Sequence, residues 1–319
     1  MRLAHAVTPV RNGPITVQFV LLALAWGASF LLIKVGDSGL SAPQVVFARL
    51  GFGALALGIV LAVTRSAPPR GWRTWGHLAV LGITLCVVPF LLFAVAEQYV
   101  SSGLASILNA TTPLMTMLVS VVALPTEKLS TARVLGLLLG FLGVITLTGP
   151  WQSGASSSVP AELACLGATV SYGIGFVYLR RFITPLRLPP ATVGFGQVLV
   201  GTVLVALTLP WTRLPAPHLN VSIVLAMVAL GAVGTGLAYV WNTAIVAAWG
   251  AVNGAAVTYL IPIVGVVLGI VVLHEPLRWN EPVGAVLVIL GVLAAHGRLA
   301  KLLQRASDTA GRSKASSAR

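Results

Sequence analysis

The sequence is poor in charged residues, and acidic residues are the scarcest of all. Only 8% of its 319 residues are charged and seven are Asp or Glu, whereas 57% are apolar. About a quarter of the residues of a soluble domain are charged, and the mean hydropathy here is +0.96. These values exclude an ordinary soluble domain and indicate a membrane protein.

The sequence also lacks the residue clusters that catalytic and metal sites need. The five histidines are scattered, and there is no HExxH motif, no pair of aspartates and no phosphate-binding loop. Cys86 and Cys165 each lie inside an apolar run, which predicts two buried thiols and no disulfide framework. We therefore predict no metal, no cofactor and no enzymatic activity.

Ten apolar stretches qualify as membrane-crossing helices, for which about 20 mostly apolar residues are needed. They cover residues 15–34, 43–63, 76–96, 102–122, 132–149, 161–179, 191–209, 221–246, 252–273 and 282–296. The predicted fold is therefore an all-α integral membrane protein with ten transmembrane helices, and the lipid bilayer is its first predicted partner.

One pattern occurs twice in the chain at nearly the same spacing. The first copy is Pro113, Glu127, Gly136, Gly143 and Val144, and the second is Pro262, Glu275, Gly284, Gly291 and Val292. Trp26, Gly27, Phe30 and Lys34 likewise correspond to Tyr172, Gly173, Phe176 and Arg180, which lie 146 residues later, and Leu81-Gly82 corresponds to Leu230-Gly231. Five helices per half is an odd number, so the second half enters the membrane from the opposite side. The sequence therefore predicts an inverted repeat, which is typical of transporters.

The repeat and the composition together predict the domain organisation. Residues 1–14 form an N-terminal tail, 15–149 the first five-helix repeat, 150–160 a polar linker, 161–297 the second repeat and 298–319 a basic tail. The two tails are predicted to be cytoplasmic.

The distribution of basic residues predicts the orientation. The net charge of +13 does not indicate nucleic-acid binding, because the Lys and Arg residues lie in loops and in the C-terminal tail. With both termini in the cytoplasm, sixteen of the twenty basic residues are cytoplasmic and only Lys34, Arg213 and Arg278 are outside. This is the bias that the positive-inside rule expects of an inner-membrane protein.

The motifs resemble those of a known family, the EamA-type ten-helix members of the drug/metabolite transporter superfamily. The resemblance rests on residues 26–30 (WGASF), on Asn109 to Pro113, on Glu127, on Gly136 to Val144, and on residues 274–277 (HEPL) in the second copy. It covers about residues 15–297 and implies export or exchange of amino acids or other small metabolites across a bacterial inner membrane. The second half departs from the first, because Tyr172 replaces Trp26 and Gln197 stands opposite Arg49.

Candidate residues for contact with a small-molecule substrate are polar or aromatic side chains expected to face inward. They are Trp26, Ser29, Phe30, Asn109, Thr112, Tyr172, Trp241, Asn242 and Tyr259. The polar residues of the fourth helix recur every three or four positions and so share one face, which either lines a solute path or lets helices pack closely.

Prolines and charged residues supply the remaining candidates. Pro113 and Pro262 are candidate helix hinges, since a proline frees a backbone carbonyl, although each could serve as a structural kink. Arg49 and Glu97 are gate or coupling candidates. Arg49 could instead snorkel to the outer surface as an anchor, and Glu97 could simply cap its helix. Glu127 and Glu275 are expected to fix turns between helices.

The predicted function is that of a secondary transporter working by alternating access, with the oligomeric state open. Two alternatives compete with it: an integral-membrane enzyme acting on lipid or isoprenoid substrates, and a transport-inactive scaffold or sensor. The scarcity of catalytic clusters disfavours the enzyme, and the sequence offers no soluble signalling domain for a sensor.

Overall fold

Over the residues that the structure describes, the fold consists of helices and contains no strand. The computed structural model describes residues 12–123, 131–148, 158–211, 214–249, 257–258 and 260–295. The helices are α1 (Asn12–Asp37), α2 (Ala42–Thr64), α3 (Trp72–Leu81, Gly82–Val87 and Val88–Ala96), α4 (Ser102–Asn109), α5 (Thr112–Ala123), α6 (Thr131–Thr148), α7 (Val159–Tyr178), α8 (Pro190–Thr208), α9 (Val221–Val228, Ala229–Leu237 and Ala238–Trp249), α10 (Ile261–Leu273) and α11 (Asn280–Ala295).

Among the described residues, seven helical segments are long and apolar enough to cross a membrane. They are Ile15–Asp37, Ala42–Thr64, Trp72–Ala96, Ser102–Ser120, Val159–Leu186, Pro190–Trp211 and Val221–Asn242. The other three predicted stretches contain shorter apolar helices, Val134–Thr146, Ile261–Leu273 and Asn280–Gly291. The prediction of an all-α fold with several membrane-crossing helices is therefore confirmed at this level.

Helix α2 has a buried face and an exposed face, and both are apolar. Leu50 and Leu57 are fully buried, whereas Leu55 and Val63 on the same helix are 62% and 77% exposed. A helix that is apolar on every side suits a position between a protein core and lipid. Both cysteines are free and buried, as the sequence predicted.

The fourth predicted span contains the apolar segment Ser102–Ser120, which is interrupted just before the predicted hinge residue Pro113. The chain forms α4 and α5, which are separated by Ala110 and Thr111. Pro113 has no N–H to donate to the carbonyl of Asn109, four residues earlier. The Thr112 hydroxyl donates to that carbonyl instead, at 2.7 Å. The proline thus ends one helix, and a side chain satisfies the acceptor that it leaves.

The repeated glycines hold α6 and α11 in close antiparallel contact. A methyl group built on Gly143 would lie 2.6 Å from the backbone nitrogen of Val288 and 2.9 Å from the carbonyl oxygen of Gly284. One built on Gly291 would lie 2.5 Å from the nitrogen of Gly140 and 2.7 Å from the carbonyl oxygen of Gly136. Later residues of one helix thus meet earlier residues of the other. The two contacts are reciprocal, because each residue and its counterpart 148 positions later exchange roles.

A second reciprocal contact involves the π-helical segments Gly82–Val87 of α3 and Ala229–Leu237 of α9. A methyl group on Gly82 would lie 2.8 Å from the carbonyl oxygen of Gln197 on α8. One on Gly231 would lie 2.7 Å from the carbonyl oxygen of Arg49 on α2. Each half therefore contributes a π-helical segment that packs through a glycine against the other half.

Glu275 joins the second half of the chain to the first. It follows α10, and its carboxylate accepts hydrogen bonds from the backbone N–H of Ser102 (2.9 Å), the Ser102 hydroxyl (2.9 Å) and the backbone N–H of Gly103 (3.2 Å). These donors are the first residues of α4, where backbone N–H groups have no partner within the helix. Its counterpart Glu127 lies outside the described residues.

Replacing Gly143 by Val is expected to destabilise the protein by about 1–3 kcal/mol, because the new side chain meets the α11 backbone. Thermal unfolding of the purified protein in detergent measures the effect. Gly51→Val is the matched control, since a methyl group on Gly51 has no atom within 4 Å. Equal melting temperatures for the two variants would contradict this description of the contact.

Replacing Glu275 by Ala is expected to cost about 2 kcal/mol, because three donors at the start of α4 lose their acceptor. Glu275→Gln keeps one acceptor oxygen and should be intermediate. Melting temperatures in detergent measure both, with Gln98→Ala as the control at an exposed position. A Glu275→Ala variant as stable as the control would show that the cap contributes nothing.

Candidate functional site

Arg49 is buried between the two halves of the chain, with only 7% of its surface exposed. Its Nε donates a hydrogen bond to the Thr235 hydroxyl of α9 at 3.1 Å. The guanidinium carbon lies 3.6 Å from the centre of the Phe90 ring of α3. The side chain therefore turns inward and does not snorkel to the outer surface, the alternative that its place near the start of α2 suggested.

Helices α2 and α9 are in close contact beside Arg49, at Gly53 and Thr235. A methyl group on Gly53, one turn along α2, would lie 3.0 Å from the Cγ2 of Thr235. Thr235 belongs to the π-helical part of α9, and π-helical segments occur frequently at functional sites. The close approach of α2 and α9 thus places the Thr235 hydroxyl within reach of the arginine.

Glu97 is the second buried ionisable residue of this region. It is the first residue after α3 and is completely inaccessible, and neither carboxylate oxygen has a hydrogen-bond partner among the described residues. Its backbone carbonyl accepts a hydrogen bond from the Lys34 ammonium, which also donates to the carbonyl of Val100 at 3.0 Å. Burial, reinforced by the nearby Asp37, raises the pKa of Glu97 well above its usual range.

A wall of aromatic rings lies between Arg49 and Glu97. Phe90, Phe93 and Glu97 follow one another at intervals of three and four residues, which places them on one face of α3. The Phe93 ring meets the edge of Phe30 at a centroid distance of 5.5 Å and lies 6.3 Å from the ring of Tyr172. Tyr172 packs against two buried clusters, of which one contains Phe90 and the other contains Phe30 and Phe93.

Two of the predicted residues of α1 contribute to packing in this region. The Ser29 hydroxyl donates to the carbonyl of Ala25 in its own helix at 2.8 Å. A methyl group on Gly234 of α9 would lie 2.9 Å from the Ser29 oxygen. Trp26 is partly buried and packs beside Phe30 on the same cluster.

The break between α4 and α5 lies beside α7. The Thr111 hydroxyl donates to the Thr169 hydroxyl of α7 at 3.2 Å, and Thr169 is one turn before Tyr172. Asn109 is half-buried and Thr112 is buried. The break that Pro113 creates is therefore close to the aromatic wall.

The remaining predicted residues lie on α9, on α10 or outside the described part of the chain. Trp241 packs with Trp26, Phe19 and Leu260 on a third apolar cluster, so the structure brings Trp26 and Trp241 to the same cluster. Asn242 follows it and is half-buried. Pro262 lies in the first turn of α10, and Tyr259 falls outside the described residues.

Sequence reasoning missed Phe90 and Phe93. The signal was present, because the two rings and Glu97 repeat at helical spacing on α3. In a helix as apolar as this one, however, every face carries large side chains, so the pattern does not stand out. In the described residues no group of three or more His, Cys, Asp or Glu side chains is placed to hold a metal ion.

An apolar groove of about 430 Å³ lies elsewhere, between α2 and α8. Its lining includes Leu55, Ile59, Phe195 and Leu199, and it offers almost no polar surface. Leu55 and Ile59 are among the exposed apolar side chains of α2. The groove therefore suits contact with lipid, and the polar chemistry lies at Arg49 and Glu97.

The chain is similar to several transporters over most of its length. It is 26% identical over 274 residues to the uncharacterized transporter YvbV of Bacillus subtilis (strain 168), which covers 85% of this chain and 88% of YvbV. It is 24% identical over 291 residues to a probable amino-acid metabolite efflux pump of Salmonella typhimurium (strain LT2), covering 86% and 91%. It is also 30% identical over 179 residues to the uncharacterized inner membrane transporter YedA of Escherichia coli (strain K12), covering 54% and 55%.

A solved crystal structure shares the fold. It superposes with a TM-score of 0.62 at 23% identity and covers 88% of this chain and 96% of its own. The model of the EamA-like transporter family matches the chain twice, at residues 14–149 and 159–295. The two matches span nearly all of the sequence, and the protein is therefore a multi-pass membrane protein that belongs to the EamA-like transporter family, within the drug/metabolite transporter superfamily.

Proposed function

We propose that the protein is a secondary transporter that exports amino acids or related small metabolites or drugs across the bacterial inner membrane by alternating access. The observation that carries this proposal is the position of Arg49. Its guanidinium is buried, belongs to the first half of the chain and bonds to Thr235 of the second half. A buried ionisable residue inside a membrane protein usually marks a solute or ion path.

The relatives support the direction and the class of substrate. One of them is named a probable amino-acid metabolite efflux pump and another an inner membrane transporter. Membership of a transporter family also favours transport over the enzyme and scaffold alternatives.

The packing supports ten crossings arranged as two inverted repeats. The family model matches the halves separately, and α6 with its counterpart α11 packs antiparallel through reciprocal glycine contacts. An axis along the membrane normal would relate parallel helices, whereas an axis in the membrane plane relates antiparallel ones. The boundaries of the two repeats, 15–149 and 161–297, belong to the same proposal.

Alternating access needs the two halves to rock about a site near the middle of the membrane. The break after Asn109 provides a hinge for this motion, because α4 and α5 are separate helices connected by Ala110 and Thr111. Pro262 begins α10 at the corresponding place in the second half. We assign both prolines as hinges, and Asn109 and Thr112 as residues beside the solute path. Trp241, Asn242 and Tyr259 remain candidates for its opposite wall.

In reconstituted liposomes, the purified protein is expected to accelerate the flux of some radiolabelled amino acids above that of protein-free liposomes. Pro113→Ala should slow the maximal flux by about tenfold, which is about 1.4 kcal/mol on the limiting barrier. The alanine N–H can donate to the Asn109 carbonyl and so stiffen the hinge. Pro68→Ala, in the exposed loop after α2, is the control. Absence of flux across a broad solute panel would contradict the proposed function.

Both termini are proposed to be cytoplasmic, which places the α1–α2 loop outside and the α2–α3 loop inside. A membrane-impermeant thiol reagent added to intact cells should label Ser38→Cys and spare Ala67→Cys. Both positions are exposed in loops, and the two native cysteines are buried and should give little background. The reverse labelling pattern would overturn the orientation.

A further inference from the structure

The apolar groove between α2 and α8 has small residues on one helix and large side chains on the other. Ala54, Gly58 and Ala62 of α2 recur every four residues and so share one face. A methyl group on Gly58 would lie 3.5 Å from the Cε2 of Phe195 on α8, and Leu199 extends that wall one turn further. The small residues of α2 thus leave a space of about 430 Å³ that is open to the surroundings.

The groove covers one half of each helix. On α2 it runs from Ala54 to Ala62, close to the end of the helix at Thr64, which is about 12 Å at a rise of about 1.5 Å per residue. On α8 it begins at Phe195, near the start of the helix at Pro190. Because the hydrocarbon core of a bilayer is about 30 Å thick, this length suits the acyl chain of a lipid in a single leaflet.

Two arginines lie where the groove reaches the ends of the helices. Arg65 follows Ala62 by three residues and ends α2, and Arg187 precedes the first residue of α8 by three. Both are exposed. The Thr192 hydroxyl donates to the carbonyl of Ala67 at 2.9 Å, which holds the loop after Arg65 against the first turn of α8. The two arginines therefore flank the same end of the groove.

Both arginines have a backbone conformation that glycine adopts more easily. Each has a φ of 51°, in the left-handed region that is unfavourable for a residue with a Cβ atom. Arg65 ends α2, and Arg187 ends the short helical turn Thr184–Leu186, positions at which glycine is common. An arginine at both positions favours a role for the side chain.

The adjoining sequence contains no acidic residue to balance this charge. None occurs between residues 38 and 96 or between residues 163 and 274, whereas Arg70 and Arg73 add two further positive charges beside the loop. Trp72 is 80% exposed, and the guanidinium carbon of Arg73 lies 5.5 Å from the centre of its ring. Exposed tryptophan at the end of a membrane helix is typical of the membrane–water interface, which is the depth of the lipid phosphates.

We propose that this groove binds one anionic phospholipid, with an acyl chain between α2 and α8 and the phosphate between Arg65 and Arg187. Guanidinium groups bind phosphate through charge-assisted and frequently bidentate hydrogen bonds, and clusters of basic residues at the cytoplasmic ends of membrane helices attract anionic lipids. Helix α2 belongs to the first half of the chain and α8 to the second, so the lipid joins the two halves. The proposal is independent of the transported solute.

A second copy of the chain suits this face less well than a lipid. In a two-fold dimer each patch meets the same patch of its partner, and both copies cross the membrane in the same direction. The arginine-rich ends of the two grooves would therefore lie at the same depth and face each other. Like charges repel, whereas a phosphate neutralises them.

Native mass spectrometry of the purified full-length protein in detergent counts bound lipids and gives the mass of the assembly. The two probes are dioleoylphosphatidylglycerol, which is anionic, and dioleoylphosphatidylcholine, which has the same chains and no net charge. The anionic lipid is expected to bind about tenfold more tightly, because each arginine near the headgroups adds to the attraction. The double variant Arg65→Gln/Arg187→Gln should bind both lipids equally. Arg65→Lys/Arg187→Lys should keep most of the preference, since lysine also binds phosphate.

Matched controls separate the site from the general positive charge of the surface. Arg181→Gln removes an exposed arginine just after α7, whose guanidinium donates to the carbonyl of Ala123 at 3.1 Å, and it should bind both lipids as the wild type does. Gly58→Leu fills the groove and should weaken both lipids by about tenfold, because it blocks the acyl chain that they share. Gly51→Leu is its control on the same helix, since a methyl group on Gly51 has no atom within 4 Å.

Each contrary result overturns the proposal in a different way. Equal affinity of the wild type for the two lipids, or a preference that survives in the double glutamine variant, would show that the arginines do not bind the phosphate. A loss in Arg181→Gln as large as in that double variant would show a diffuse attraction and no site. A dimer that Gly58→Leu converts to a monomer would place a second copy in the groove. None of these results alters the flux assay, so transport stands or falls separately.

Discussion

The structure depends on close backbone contact between helices that carry glycine where they cross. Lipid offers apolar helices no hydrophobic reason to associate, so membrane helices depend on small residues that let their backbones approach. In α6 and α11 this contact is made twice, once by Gly143 against α11 and once by Gly291 against α6. The glycines of the repeated pattern are therefore among the points where the two halves are joined.

Close contacts at glycine also bring together the helices that surround Arg49. Gly231 lies against the carbonyl of Arg49, and Gly53 lies against the side chain of Thr235, so α2 and α9 are close enough for the arginine to bond to the threonine hydroxyl. A bulkier residue at either position would separate the helices and expose the guanidinium to another environment. The glycines that let α2 and α9 approach each other thus determine which groups the Arg49 guanidinium contacts.

Much of this was accessible from the sequence, and the limits have physical causes. The ten apolar stretches and the duplication were readable because length, hydropathy and spacing are local or periodic quantities. The sequence does not show which face of one helix contacts which neighbouring helix. Arg49 lies near one end of α2, and its side chain could reach the membrane surface or be buried, depending on where α9 lies. The break at Ala110 and Thr111 was expected only as a hinge, because whether a proline bends or divides a helix depends on what accepts the freed hydrogen bond.

The two halves are alike in backbone and unlike in charge. Arg49 and Gln197 occupy corresponding positions 148 residues apart, and both are buried, at 7% and 3% exposure. The backbone carbonyl of each lies against the glycine of a π-helical segment in the other half. Had both positions kept an arginine, two positive charges would face a common interior with the like-charge repulsion that this brings. With Gln197 at the matching position, the guanidinium of Arg49 has no second arginine opposite it. The duplicated sequence thus places the same backbone contact at both positions, while the side chain at each position differs in charge.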